Sequence, residues 1–467
     1  MAGASPNDRL ARLMEEALFD SHKAFARAVM AESERAGEPL RHCDHTYVTR
    51  WLSGRVPQGK TPTFIAGALS RALGREVTPA DIGMPFAGHL PTHDLGLSYP
   101  DGPVAAAKNV ALLWKGDLDE ATVLQRGRID SAAWNDASLR WLVDPAQASS
   151  SEPVGNATRV GMADVQRFSA TVDMFAQLDN RYGGGHARHS LIQYLRTDGE
   201  RLLRSRYTGA VAQPLFSAVA EATLLSAWMT YDSTPTSGLA QRYFIQALAL
   251  AQAAGDRLLG ASILDAMSHQ ATYAGRFSEA ANLARAARSG TTGRATPTLT
   301  AHFHMMEARA LARLGDAKAC DIALSEAVRE FDKRNPADDP PWIQYFNEAE
   351  LEAEFGHCFR DLGRAVDASH HASQSLVAID DTTFLRSDFF AAIVLADAHL
   401  AAGEIERACT VALKALTAGE QIRSARCINY VREFHSRLSQ VGASAAVAEF
   451  TEQAEKSRLW RIASRRG

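Results

Sequence analysis

A short junction recurs four times in the C-terminal half of the chain, and its spacing restricts the fold more than any other feature. Each copy has a glycine followed five positions later by alanine or cysteine, at Gly275, Gly315, Gly363 and Gly403. Glycine lets the chain leave a helix in a left-handed turn, and the small residue lets the next helix pack closely. Because the glycines lie 40, 48 and 40 residues apart, the pattern predicts a stack of helical hairpins.

The surrounding segment, from about Leu215 onward, has amphipathic helical spacing and almost no strand signal. A weaker copy of the repeat lies at 228–254, where aromatic and small residues take the packing positions. The glycine in the turn and the alanine early in the second helix resemble tetratricopeptide repeats (TPR), although the period exceeds their usual length of about 34 residues. The resemblance implies an all-α helical solenoid, and the same residues also fit an irregular all-α domain.

A second informative stretch, from Asp44 to Gly54, has the features of a helix that enters DNA. Asp44 is suited to cap a helix, and Gly54 with Pro57 behind it is suited to end one. Val48 and Trp51 share one face because they are three residues apart. The other faces carry side chains that match the edges of base pairs in the major groove, namely His45, Thr46, Thr49 and Arg50.

Apolar spacing and helix-start signals predict five short helices before residue 90, with the Asp44 helix as the third. This layout, with the step Trp51-Leu52-Ser53-Gly54 and a proline behind it, resembles the lambda-repressor-like (Xre) family of helix-turn-helix proteins. The resemblance implies that the third helix reads DNA. Arg55 and Lys60, in the loop after it, are suited to contact phosphates. The alternative is an ordinary capped helix in an all-α domain.

The complete arrangement resembles a group of actinobacterial regulators that join an N-terminal helix-turn-helix domain to a C-terminal tetratricopeptide domain. The similarity is strongest at 238–244, 267–271, 338–343 and 355–363. It implies a transcription factor. We expect a helix-turn-helix DNA-binding domain at 1–88, a linker and helical connecting segment at 89–160, a TPR-like α-solenoid at 161–460 and a basic tail at 461–467.

Length and composition limit the remaining possibilities. A chain of 467 residues is expected to form two or more domains, and its net charge of −4 gives no global signal for nucleic-acid binding. The five cysteines are scattered and form no metal-ligand pattern. Because the sequence lacks a nucleophile elbow, a zinc motif and a Walker loop, we predict no enzyme activity, no metal and no cofactor. We see no membrane-length apolar run and no signal peptide, which predicts a cytoplasmic protein without membrane contact.

Polar residues in the predicted hairpins define a candidate effector groove, consisting of His269, His304 and Asn347. A superhelical groove lined by imidazole and amide groups would hold a peptide, a small molecule or a protein segment, although each residue also fits a packing or solvent position. The run Gly183-Gly184-Gly185 is interpreted as a hinge between helices. No strand precedes it and no Lys-Ser/Thr follows it, as a phosphate loop requires.

These observations predict a transcriptional regulator that binds double-stranded DNA. A homodimer is expected because one such module buries too little surface for tight specific binding. The repeats would dimerise, sense an effector or do both. The alternative is a protein-interaction scaffold built on TPR-like repeats, with an N-terminal domain that does not bind DNA.

Overall fold

The computed structural model describes most of the chain and shows an all-α protein. The described residues are 6–36, 39–57, 60–75, 77–79, 81–84, 94–119, 124, 127–143, 159–234, 238–377, 385–442 and 444–465. Within these ranges the regular structure is helical, apart from an isolated bridge between Arg159 and Arg206. The predicted all-α fold class is therefore confirmed. Contacts divide the chain into two compact units, Met1–Asp94 and Leu95–Gly467.

The N-terminal unit is built on four helices among its described residues, and residues with capping or helix-ending chemistry lie at several of their ends. The helices are α1 (Asp8–Glu16), α2 (His22–Arg35), α3 (His45–Leu52) and α4 (Thr61–Leu73). The hydroxyl of Ser21 accepts the amide of Ala24 at 3.2 Å and so caps α2. Pro62 occupies the first turn of α4, and Gly74 ends that helix with a φ of +66°.

The fifth of the predicted short helices would be capped by Thr78 with Pro79 at its first position. The described residues 77–79 and 81–84 form turns, so this prediction is wrong for them. Thr78 and Asp81 do exchange the two hydrogen bonds of a capping box, at 2.8 and 3.3 Å. However, Gly83 adopts a φ of +68°, and the amide of Met84 donates to the carbonyl of Pro79 at 3.0 Å. This is the closing bond of a helix end, so the cap is followed at once by a stop.

The second unit consists of helices that pair in sequence. They are α5 (Gly102–Asp119), α6 (Ser131–Val143), α7 (Met162–Tyr182), α8 (Arg188–Tyr194), α9 (Glu200–Leu203), α10 (Gly209–Ser233), α11 (Gly238–Ala254), α12 (Arg257–Tyr273), α13 (Phe277–Gly290), α14 (Pro297–Leu314), α15 (Ala317–Phe331), α16 (Glu348–Asp361), α17 (Ala365–Val377), α18 (Leu385–Ala401), α19 (Ile405–Ala418), α20 (Ala425–Leu438), α21 (Ala445–Ala454) and α22 (Arg458–Ala463). A π-helical segment, Leu195–Gly199, joins α8 to α9.

The four predicted junctions are the turns of four helical hairpins, α12/α13, α14/α15, α16/α17 and α18/α19. Their glycines have left-handed φ values of +74°, +77°, +74° and +79° in chain order. The small residue five positions later is almost completely buried in each hairpin, at Ala280, Cys320, Ala368 and Ala408. An earlier hairpin, α10/α11, has the most extensive contacts between any two helices of the unit.

The first helices of the hairpins form an inner row that returns to its start. In this row α12, α14, α16, α18 and α20 each contact the next, and α10 contacts both α12 and α20. Backbone hydrogen bonds reinforce the closure: Arg423 donates to the carbonyl of Tyr182 at 2.7 Å, and Gly185 donates to the carbonyl of Arg423 at 3.1 Å. The inner faces of these helices therefore surround a common interior.

The segment before the repeats packs on them through three tryptophans. Trp114 on α5, and Trp134 and Trp141 on α6, are completely buried and belong to the same apolar core as the hairpins. Helix α5 packs on α11, while α6 packs on α11 and α13. The C-terminal helix α22 buries Leu459 and Trp460 in a second core with α18–α21.

The expectation that the chain has no membrane-length apolar run is wrong for one helix, α10. By length and composition alone, Gly209–Ser233 is long and apolar enough to cross a membrane. However, 61% of its apolar window is buried inside the protein, against α11 and neighbouring helices. A helix that is apolar on all sides and buried in this way is typical of the interior of a large helical domain.

Candidate functional site

Helix α3 begins at a strong cap. The Asp44 carboxylate accepts the amides of Thr46 and Tyr47 at 2.8 and 3.4 Å and the hydroxyl of Thr46 at 2.5 Å. The bond from the Thr46 hydroxyl is the largest cause that holds the pKa of Asp44 well below its ordinary value; desolvation opposes it, and the bonds from the Thr46 amide, His42 and the Tyr47 amide add to it. A carboxylate is therefore fixed at the positive end of the helix.

One face of α3 attaches the helix to the rest of the N-terminal unit. Val48 is fully buried and Trp51 is 3% exposed, and both belong to the core formed by α1, α2 and α4. The amide of Asn7 donates to the carbonyl of Leu52 at 2.8 Å, which fixes the end of α3 beside the start of α1. These contacts determine which side of α3 faces solvent.

The opposite face of α3 presents all four residues that the sequence predicts as base contacts. His45, Thr46, Thr49 and Arg50 are exposed. Thr46 donates its hydroxyl to Asp44, and Thr49 donates its hydroxyl to the carbonyl of His45 at 2.9 Å. Both hydroxyl hydrogens are therefore engaged within the helix, and His45 and Arg50 retain the donors best placed for an external partner.

Positive charge surrounds this face. Arg41 precedes α3, and Arg55 and Lys60 follow it in the segment that leads to α4; all three side chains are exposed, as is Arg50. The Arg50 guanidinium lies 5.7 Å from the centre of the Tyr47 ring. The surface therefore carries several cations on either side of a helix whose outer face is polar.

A groove beside α3 was not predicted from the sequence. It has a volume of about 530 Å³ and is lined by Leu40, His42, Cys43, Tyr47, Arg50, Trp51, Arg55, Val56, Pro57 and Thr61. Tyr47 is 37% exposed and Val56 is 53% exposed. The only signal in the sequence is Tyr47, which lies one position before the buried residue Val48. Helical periodicity alone does not show that such a residue lines a groove.

The three residues of the predicted effector groove occupy different positions in the second unit. His269 lies on α12 and lines a polar cavity enclosed by the inner row of helices. His304 on α14 is partly buried, with its Nδ1 atom 3.1 Å from the Arg288 guanidinium. Asn347 is exposed and caps α16 by accepting the amide of Glu350 at 3.1 Å. The structure therefore does not bring the three together.

No group of three or more His, Cys, Asp or Glu side chains in the described parts of the chain is arranged to hold a metal ion. The five cysteines are free thiols, and four of them are buried, at Cys320, Cys358, Cys409 and Cys427.

Residues 10–85 match the family described as the SP15 N-terminal domain, which spans α1 to α4 and the turns after them. No curated protein matches the chain.

Proposed function

We propose that this protein is a DNA-binding transcriptional regulator in which α3 is the recognition helix of a helix-turn-helix domain. The observation that carries the proposal is the division of α3 into two faces. Val48 and Trp51 are buried on one side, while His45, Thr46, Thr49 and Arg50 are exposed on the other. A recognition helix needs this division, because one face must pack on a scaffold while the other contacts base edges.

Each exposed residue has a role that follows from its position and chemistry. His45 and Thr46 lie in the first turn of α3, where contact with bases is most common. Arg50 is one turn further on and is suited to a guanine or a phosphate. Arg55 and Lys60 follow the helix and are suited to phosphates, which position the protein without reading sequence.

The second unit supplies the regulatory half of the proposal. Its hairpins form a TPR-like solenoid that dimerises the protein or senses a signal, and a dimer would place two recognition helices on one operator. A ligand that prefers one curvature of the solenoid would change the distance between those helices. DNA affinity would then depend on how well that distance fits the half-sites.

The first experiment is selection of binding sites from random DNA by the full chain, followed by affinity measurements at several salt concentrations. We expect a two-fold symmetric motif and an affinity that falls steeply with salt. Arg50→Ala should weaken discrimination against a single mismatched base by about 5- to 150-fold. Arg55→Ala should instead weaken all sequences alike and lower the salt slope by about one.

Arg12→Ala is the matched control, because it removes an exposed arginine from α1. It should leave both discrimination and the salt slope unchanged. The proposal fails if the wild type selects no motif, or if Arg50→Ala and Arg12→Ala have equal effects on discrimination.

A protein-interaction scaffold is the second candidate, and the groove beside α3 favours it. Tyr47, Val56 and Pro57 give this groove an apolar surface that a peptide would cover. Salt separates the two functions. Binding through phosphates weakens as counterions are added, whereas an apolar contact in the groove is nearly insensitive to salt.

A further inference from the structure

A polar cavity of about 230 Å³ lies inside the inner row of helices, between α12, α14, α16 and α20. Its lining contains five arginines, Arg309, Arg313, Arg360, Arg426 and Arg432. The acidic residues in the same lining are Asp361 and Glu433. The lining itself therefore contains more guanidinium groups than carboxylates.

Three of these arginines are held rigidly in the wall. The side chains of Arg309, Arg360 and Arg426 are 9%, 8% and 10% exposed. Each has at least one carboxylate partner: Glu354 for Arg309, Asp361 at 2.8 Å and Asp397 at 3.8 Å for Arg360, and Asp232 at 2.9 Å for Arg426. A guanidinium has five N–H donors, and a single carboxylate satisfies at most two in a bidentate pair.

The donors of this wall are not all satisfied by the protein. Arg309 Nε and Arg360 Nη1 have no hydrogen-bond partner among the described residues, and neither has the hydroxyl of Thr272. All three side chains line the cavity. Buried donors without a partner are costly, so these side chains keep hydrogen-bonding capacity that the described residues do not use.

Two histidines near the arginines of the cavity have pKa values below their ordinary range. Burial, followed by the charges of Arg426 and Arg309, lowers the pKa of His269 well below its ordinary value. Burial, Arg309 and Arg360 do the same to the pKa of His357, which lies behind the wall on α16. Both imidazoles are therefore neutral at pH 7, and a histidine of this kind both donates and accepts.

Two further arginines of the cavity lining are exposed to solvent, Arg313 and Arg432. Neither forms an ion pair with a described residue. The Arg313 guanidinium lies 5.3 Å from the centre of the Phe277 ring, and Arg432 donates to the side chain of Asn429. If the buried ion pairs of the wall served only to join the helices, arginines without a carboxylate partner would not be required at the entrance of the cavity.

We propose that this cavity binds a small oxyanion, a molecule whose carboxylate or phosphate group lies against Arg309, Arg360 and Arg426. Its volume equals about eight water molecules at about 30 Å³ each, which suits a small metabolite and is too little for a peptide helix. The ligand would bridge α12, α14, α16 and α20, so it would stabilise the closed inner row. The site stands whether or not the N-terminal unit binds DNA.

The test measures binding of two oxyanion probes, inorganic phosphate and succinate, to the full chain at constant ionic strength. Thermal unfolding midpoints and titration calorimetry are followed, with glycerol as a neutral probe and chloride as the balancing anion. We expect a saturable rise in the midpoint with phosphate, succinate or both, and none with glycerol. A response to phosphate alone would identify a phosphate ligand, and a response to succinate alone would identify a carboxylate ligand.

The test variant is Arg313→Gln/Arg432→Gln, which leaves the buried ion pairs intact. This double variant should bind whichever probe the wild type binds with about tenfold lower affinity. The matched control is Arg329→Gln/Arg407→Gln, which removes two exposed arginines paired only within their own helices and should behave as the wild type. The proposal is overturned if neither probe gives a saturable response, or if the two double variants bind the responding probe with equal affinity, whether reduced or unchanged. Neither result affects the DNA-binding proposal, because that proposal is tested by DNA affinity and not by the binding of these probes.

Discussion

Among single residues, the Glu350 carboxyl group on α16 is expected to make stability depend on pH. Burial, and next the charge of Glu354, raises the pKa of Glu350 to about 7 from an ordinary 4.5. Between these two values the unfolded chain releases its proton while the folded chain keeps it. The free energy of unfolding therefore falls as pH rises from about 4.5 to 7, and is level with respect to this group above that range.

Glu350→Gln removes this titration. We expect the variant to be more stable than the wild type at pH 8, by on the order of 2 kcal/mol, with the advantage shrinking towards pH 4.5. Urea unfolding at pH values from 4.5 to 8 measures the difference. Glu348→Gln, at the exposed start of the same helix, is the control. Parallel pH profiles for the wild type and Glu350→Gln would contradict the prediction.

Residue-level signals in the sequence are reliable where the chemistry is local. Asp44 caps α3 as predicted, because a cap involves only residues a few positions away, and Ser21 and Gly74 cap and end α2 and α4 in the same local way. The buried arginines of the cavity were not predicted. Arg309, Arg360 and Arg426 lie on three different inner helices, and helical spacing alone does not show which charged residues a closed stack will bury.

For whole elements, the attachment of α6 to the repeats depends on two glycines. Trp141 is fully buried, and the Arg257 guanidinium lies 3.6 Å from its ring centre. A Cβ atom at Gly260 would come within 2.3 Å of the Trp141 indole nitrogen, and one at Gly290 within 2.2 Å of its ring carbon. Both helices therefore approach the indole more closely than any side chain permits.

Gly290→Ala should push α6 away from α13. Because the clash is with a packed aromatic ring, we expect a loss of about 1–3 kcal/mol in the free energy of unfolding. Gly209→Ala is the control, since a Cβ there meets nothing within 4 Å, and it should be neutral or slightly stabilising. Chemical denaturation followed by tryptophan fluorescence compares them. An unchanged stability of Gly290→Ala would show that α6 is not held in this way.

The order of the helices could be predicted in the repeated hairpins, but the packing of the helices before the repeats could not. The four glycine junctions fix the hairpin turns, because each turn is specified by one glycine and one small residue nearby. By contrast, α5 and α6 have no repeat signal, and their packing on α11 and α13 joins residues more than a hundred positions apart. Long-range contacts of this kind leave no period in the sequence.

Across the whole second unit, the closure of the inner row centres on Asp232 at the end of α10. Its carboxylate accepts from Ser424 at 2.8 Å, from Arg426 at 2.9 Å and from the amide of Gly184 at 2.9 Å. Arg386 on α18 lies 3.4 Å away. Although burial opposes ionisation, Arg386 and Arg426 hold the pKa of Asp232 below its ordinary value. One carboxylate thus joins the first and last inner helices.

The three glycines at 183–185, interpreted from the sequence as a hinge, belong to this closure. A Cβ atom at Gly184 would lie 2.5 Å from the Met229 carbonyl oxygen, and one at Gly183 would lie 2.9 Å from that of Arg423. The run therefore permits close approach of two backbones. The sequence offered no sign of this, since the partners of the glycines lie about 45 and 240 residues further along the chain.

Asp232→Asn tests the closure, because the amide keeps the size of the carboxylate and removes its charge. Arg426 and Arg386 would then be buried beside a neutral group, and breaking a buried ion pair costs about 3–5 kcal/mol. We expect lower stability in urea, together with faster amide hydrogen exchange at Gly185 and Arg423, whose backbone bonds cross the closure.

Asp198→Asn is the matched control, since this exposed carboxylate pairs only with Arg201 in the same helical segment and should cost little. If Asp232→Asn lowers stability while exchange at Gly185 and Arg423 stays slow, the carboxylate supports the core without holding the inner row closed. Fast exchange confined to these amides and the α20 helix would place the closure at Asp232. In that case a ligand in the cavity should slow the same amides, because it would contact Arg426 on α20, the residue that pairs with Asp232.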